Sequence, residues 1–180
     1  MSSALEANLA VASASVQNAI TAAIQYAANE TKEIAVRELS ANVSCNSQLV
    51  RDRVFAQRVT IKRSSWSIVI KSKPIDLRHF QPIQQRDGVR VNTGSGSRFY
   101  KSAFGPNSKR LGGNAFRRKT DKRLPIQKVR GVTLTSVAQK IRLEEKLKFE
   151  FYHKARIRIN RNMALVSFLG GSAKAYYGIS

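Results

Sequence analysis

The chain has 180 residues and is 42% hydrophobic, enough for one ordinary domain with a real core or a domain with one long projecting element. Its 32 Lys+Arg against 11 Asp+Glu give a formal net charge of +21, so nucleic acid, acidic protein surfaces and anionic membranes are the candidate partners. The single cysteine, Cys45, excludes an internal disulfide and any multi-cysteine metal site. His79 and His153 lack a carboxylate cluster spaced to complete a zinc site.

Residues 4–42 read as one long helix. Leu5, Leu9, Ala12, Val16, Ile20, Ala23, Ala27 and Ile34 recur at three- and four-residue steps, and neither proline nor glycine interrupts them. A face of small residues around Ala10, Ser13 and Ala14 admits close approach of another helix, from a second subunit or from the same domain. The segment 7–29 carries no charge, but Asn8, Gln17, Asn18 and Gln25 make it too polar for a membrane span, and no basic segment precedes it as in a secretory signal.

Asn46 or Ser47 is placed to cap a short helix over 48–57, with Val50, Val54 and Phe55 inward. Two paired strands are expected at 59–61 and 66–70, around a turn at 62–65. Pro74 ends the second strand, and 75–80 reads as an extended edge. Asp87-Gly88 signals a turn into the short strand Val89-Arg90-Val91. The Gly/Ser turn at 93–97 lacks the lysine of a phosphate loop. An aromatic stretch from Phe99 to Phe104 precedes a Gly/Pro/Asn-rich surface loop over 105–113.

The most unusual stretch is 114–131, with seven basic residues and one acid in eighteen positions. Ala115-Phe116 before the run and Leu124-Pro125-Ile126 inside it read as apolar anchors, which a disordered basic arm would not need. A hairpin-like or extended segment follows, held on a core and presenting its cations outward. A basic helix follows over 135–162, with Ser136 as its cap, and 163–180 is left open between a strand pair and a docking tail. Residues 1–45 hold four acids and two bases, so the cationic surplus lies beyond them. No nucleophile–base pairing is spaced for catalysis, so the expectation is a non-enzyme with no cofactor and no bound metal.

Phe116-Arg117-Arg118, then Lys122-Arg123-Leu124-Pro125-Ile126 and Lys128-Val129-Arg130-Gly131, resemble the signature of the prophage minor tail protein Z family, tail completion proteins of long-tailed bacteriophages. The Ala-rich helix followed by Val50-Arg51-Asp52-Arg53-Val54, and the aromatic stretch at 100–104, are similar to that family's upstream elements. The resemblance spans roughly residues 20–150, with no counterpart for the last forty. It implies a structural virion subunit in the tail or neck, made in the host cytoplasm, that forms a homo-oligomeric ring, often sixfold, at the head-proximal end of the tail. The implied partners are other tail and neck proteins, with basic loops facing phage DNA or a neighbouring ring. Membranes and small-molecule substrates are not among them.

The expected architecture is α+β: a long N-terminal helix, a small antiparallel sheet with long basic loops, and a C-terminal helix. Its segments are 1–45 for packing and oligomerisation, 46–131 for the sheet with the basic loop 105–131, and 132–180 for the basic helix and tail. The expected binding residues are Arg117, Arg118, Lys119, Lys122, Arg123, Lys128 and Arg130, and the subunit-packing residues are Leu5, Leu9, Val16, Ile20 and Ala23. The alternative is a stand-alone basic nucleic-acid-binding protein of the ribosome-associated or nucleoid type.

Overall fold

The computed structural model describes residues 2–60, 65–94, 96–120, 122 and 124–176, and the side chains of all of these except 2–12 and 166–176. The fold is α+β, with a long helix at each end of the chain and small antiparallel sheets between. Helix α1, Ser2–Asn42, runs 41 residues without a break, about 60 Å at the usual rise.

Helix α2 is only Ser47–Arg51; the Asn46 side chain caps it by accepting the Gln48 N–H at 2.8 Å. The expected continuation to residue 57 is lost because Val54–Ala56 leaves as strand β1, where branched and aromatic side chains fit a pleated surface better. Val54 is buried, whereas Phe55 turns outward, 41% exposed, under the Lys71 ammonium at 4.6 Å. Strand β1 pairs with β2, Ile68–Ile70, so the first strand of the pair begins earlier than 59–61. In β2, Val69 is exposed between two half-buried isoleucines, the alternation of a strand with one inward face.

Leu77–Phe80 is a turn of 3-10 helix, not an extended edge. Its three-residue repeat stacks Leu77 above Phe80 and sends both inward, which an extended chain would not do. Strands β3 (Ile83–Gln85), β4 (Gly88–Asn92) and β5 (Ser97–Lys101) form an antiparallel meander. Val89 and Val91 of β4 are fully buried on either side of exposed Arg90, giving this sheet an inner and an outer face. Gly94, at φ +81°, lies under the end of α1, where a Cβ would stand 2.6 Å from the Ser44 amide nitrogen.

A second three-stranded sheet joins β6 (Ala103–Phe104), β7 (Phe116–Arg118) and β8 (Ile126–Lys128). Helix α3, Leu134–Lys140, is capped by Thr133 rather than Ser136, the threonine oxygen accepting the Ser136 N–H at 3.2 Å. Arg142, at φ +49°, interrupts the expected single helix. Helix α4, Leu143–Tyr176, then carries 163–176 of the segment left open between strand and tail as continuous helix, and 177–180 lie outside the described residues. Among the described residues, no helix is long and apolar enough to cross a membrane.

The chain forms two compact units. One comprises Met1–Glu33, Ala56–Ile68 and Glu145–Ser180; the other comprises Ile34–Phe55 and Val69–Glu144. In the first, Ala27 and Ala28 of α1 meet Phe151 and Ala155 of α4, with Ile24, Ala56 and Trp66 packed against them. The Trp66 and Phe151 rings stack at 3.9 Å. Polar contacts tie the same layer: the Asn162 side-chain amide donates to the Ala19 carbonyl at 3.0 Å, and the Val59 N–H donates to Gln25 Oε1 at 2.7 Å. In the second unit, Leu39, Val50, Ile75, Leu77, Val89 and Leu134 are fully buried.

The Trp66–Phe151 stack makes a direct test of the first unit. Phe151→Ala removes a ring that is 4% exposed, and chemical denaturation is expected to show a loss of about 3–5 kcal/mol. A loss below about 1 kcal/mol would mean that the stack is not a core contact.

Candidate functional site

Of the two expected forms, hairpin-like or extended, the basic stretch takes the hairpin. Phe116 pairs with Lys128, Arg117 with Gln127 and Arg118 with Ile126, while the backbone N–H of Lys119 donates to the Pro125 carbonyl at 3.1 Å to close the loop. Strand β7 also pairs with β6, with Ala103 opposite Arg117 and Phe104 opposite Phe116. At the base, Val129 N–H donates to the Ala115 carbonyl at 2.9 Å, and Asp76 bridges Arg130.

The anchors are not all those expected. Ala115 is fully buried and Phe116 half-buried, so the entry to the hairpin is held on the core. Leu124 is 68% exposed and Pro125 is also exposed, so only half-buried Ile126 of that triplet touches the interior. Leu124 and Pro125 therefore stand in water between β7 and β8.

The pleat divides the cations. Phe116 and Arg118 share one face with their partners Lys128 and Ile126; Arg117 and Gln127 share the other. Arg118 stands over the Phe104 ring, its guanidinium carbon 5.8 Å from the centroid, a cation–π contact that holds the side chain in place while leaving it exposed. Arg117, Lys119, Lys122 and Arg130 are exposed as well. Arg123 lies outside the described residues.

Lys128 has a different role. Its ammonium donates to Asp76 Oδ2 at 2.7 Å, an ion pair between β8 and the segment before the 3-10 turn. This hydrogen bond holds the Asp76 carboxyl below the usual aspartate range. Lys128 thus fastens the hairpin, and the sequence pattern, which shows a lysine among arginines, had no signal for the distant acid. Next door, burial and the Arg78 guanidinium push the His79 pKa below its ordinary value. Burial raises the Cys45 thiol pKa, the opposite of an activated nucleophile.

The residues expected to pack subunits separate in the same way. Ala23 is fully buried within its own chain, Val16 is half-buried and Ile20 is 36% exposed. The side chains of Leu5 and Leu9 lie outside the described residues. Among the described residues, no group of three or more His, Cys, Asp or Glu side chains is arranged to hold a metal.

Comparison with known proteins finds no match to the chain among family models, curated proteins or solved structures.

The Asp76–Lys128 pair yields a pH signature. Because the folded pKa of Asp76 is depressed, its contribution is complete above the unfolded aspartate range near pH ~3.9 and is lost as pH falls through the folded value. Both side chains are more than a third exposed, so screening keeps the contribution below about 1 kcal/mol. Asp76→Asn is expected to lower stability by that small amount at neutral pH, with the gap to wild type closing in acid. A gap that persists unchanged below the aspartate range would show that the carboxylate charge is not what matters.

Proposed function

We propose that the chain is a structural, non-enzymatic subunit of a multi-subunit assembly, most specifically a tail completion or neck protein of a tailed bacteriophage that forms a ring around the DNA channel. The observation that carries the assembly reading is a set of large apolar side chains left in water on α4. Phe149 is 72% exposed, Tyr152 67% and Ile157 56%, spread around the side of the helix away from buried Leu147, Phe151 and Ala155, with Phe149 between the other two. The Phe149 and His153 rings lie parallel on that side, 6.4 Å apart. Large apolar side chains exposed on one side of a long helix suit burial by another subunit.

The phage assignment rests on the hairpin motif, and the exposed Arg117, Arg118 and Lys119 suit contact with DNA or an acidic neighbouring ring. The same cations favour the second reading, a stand-alone nucleic-acid-binding protein, and salt separates the two. Phosphate-dominated binding to duplex DNA weakens with a log–log slope of about −0.9 per phosphate contact, whereas assembly through apolar surface survives salt.

The test is the mass distribution of the purified protein across a salt and concentration series, beside negative-stain images. Discrete rings persisting at high salt are expected, and Tyr152→Glu should shift them toward monomer by placing a charge in the buried contact. A monomer under all conditions, together with normal infectious particles when the protein is deleted, would overturn the reading.

A further inference from the structure

The outer face of the β3–β4–β5 sheet carries a second cationic surface. Its register sets Ile83 opposite Arg90 and Arg90 opposite Phe99. Paired residues in antiparallel strands project to the same side, so an aliphatic chain, a guanidinium and an aromatic ring form one row. The row faces water: Ile83 is 62% exposed, Phe99 48%, and Arg90 lies between them. Gly88 and Lys101 are paired on the same face, one step along.

Gly88 shapes this surface. A Cβ there would stand 2.9 Å from Phe99 Cζ and 2.3 Å from the Tyr100 carbonyl oxygen. Glycine thus lets the ring lie down across the sheet. Beside it opens a cavity of about 710 Å³ whose lining includes Arg86, Asp87, Gly88, Phe99, Lys101 and Phe104. Its frame is preorganised by the Gln84 side chain, whose amide nitrogen donates to the Gly88 carbonyl at 2.9 Å while its oxygen accepts the Gly105 N–H at 3.2 Å. Arg118 reaches the rim through its contact with Phe104.

The side chains of Arg86, Arg90 and Lys101 form no ion pair among the described residues, and Asp87 is the one acid lining the cavity. Cations alone suit any polyanion. An exposed aromatic face flanked by cations suits a polyanion with flat apolar groups free to stack, which a single strand offers and a duplex keeps paired. We propose that this face binds single-stranded nucleic acid, with a base stacked on Phe99 and adjacent phosphates met by Arg86, Arg90 and Lys101. The site is separate from the ring reading and stands or falls without it.

The test uses the full chain and fluorescence anisotropy with a labelled oligothymidine of about twelve nucleotides, against a duplex of the same length. Phe99→Ala is expected to weaken single-strand binding about 5- to 100-fold and leave duplex binding unchanged. Phe99→Leu, which keeps an apolar side chain on the sheet, should show the same selective loss and serves if the alanine variant misfolds. Arg90→Gln with Lys101→Gln should reduce the single-strand salt slope by about 1.4. Wild-type affinity in Phe99→Leu, or equal losses on single strand and duplex, would overturn the proposal. So would no single-strand binding beside tight binding of a polyglutamate peptide, which would assign the face to an acidic protein.

Discussion

The constraint on which the rest depends is that this chain must fold with nearly three cations for every acid. Ion pairing cannot neutralise such a surplus, so the cations must stay in water or meet an external anion. Among the described residues no charged side chain is buried, and the buried polar ones are Thr31, Thr93 and Asn114. The core is correspondingly plain, built from Ala, Val, Leu, Ile and Phe. Acids are used where they fasten something: Asp76 holds the hairpin through Lys128, and Glu30 lies 3.8 Å from Lys154 between the two long helices.

This division explains why the hairpin is firm at its base and charged above. Backbone pairing with Asp76 and Ala115 and the Lys128 ion pair secure the base. Arg117, Arg118 and Lys119 then project from strand ends whose geometry is already fixed. An anion arriving there meets side chains partly preorganised, Arg118 by its stacking on Phe104. The outer sheet face repeats the arrangement, with a rigid strand, an exposed aromatic residue and unpaired cations beside it.

Local signals were legible in the sequence where local physics decides. The uninterrupted Ala-rich helix, a cap at Asn46 or Ser47, the Asp87-Gly88 turn and a hairpin-like or extended basic stretch follow from propensity, capping or turn chemistry, and the structure settles on Asn46 and on the hairpin. Tertiary context decided the rest. Leu77 and Phe80 lie in the stretch read as an extended edge, yet a 3-10 turn draws both inward. Leu124 carries an anchor's chemistry and stands in water. The outer face of the β3–β4–β5 sheet is composed by pairing across strands, which a linear reading of Arg98-Phe99-Tyr100-Lys101 cannot supply.

The Asn162 amide that reaches the Ala19 carbonyl spans 143 positions of the chain. Because Phe151 and Ala155 cover the alanines of α1, the first unit cannot close until α4 has been synthesised. During translation, therefore, the alanine face of α1 emerges early and waits without its partner, while the β3–β4–β5 meander can complete from neighbouring segments. An Ala-rich helix in that position has intrinsic propensity but little packing to hold it, and its exposed face invites premature association with other copies. The order in which the chain leaves the ribosome thus sets a race between closing on its own C-terminal helix and meeting a neighbour.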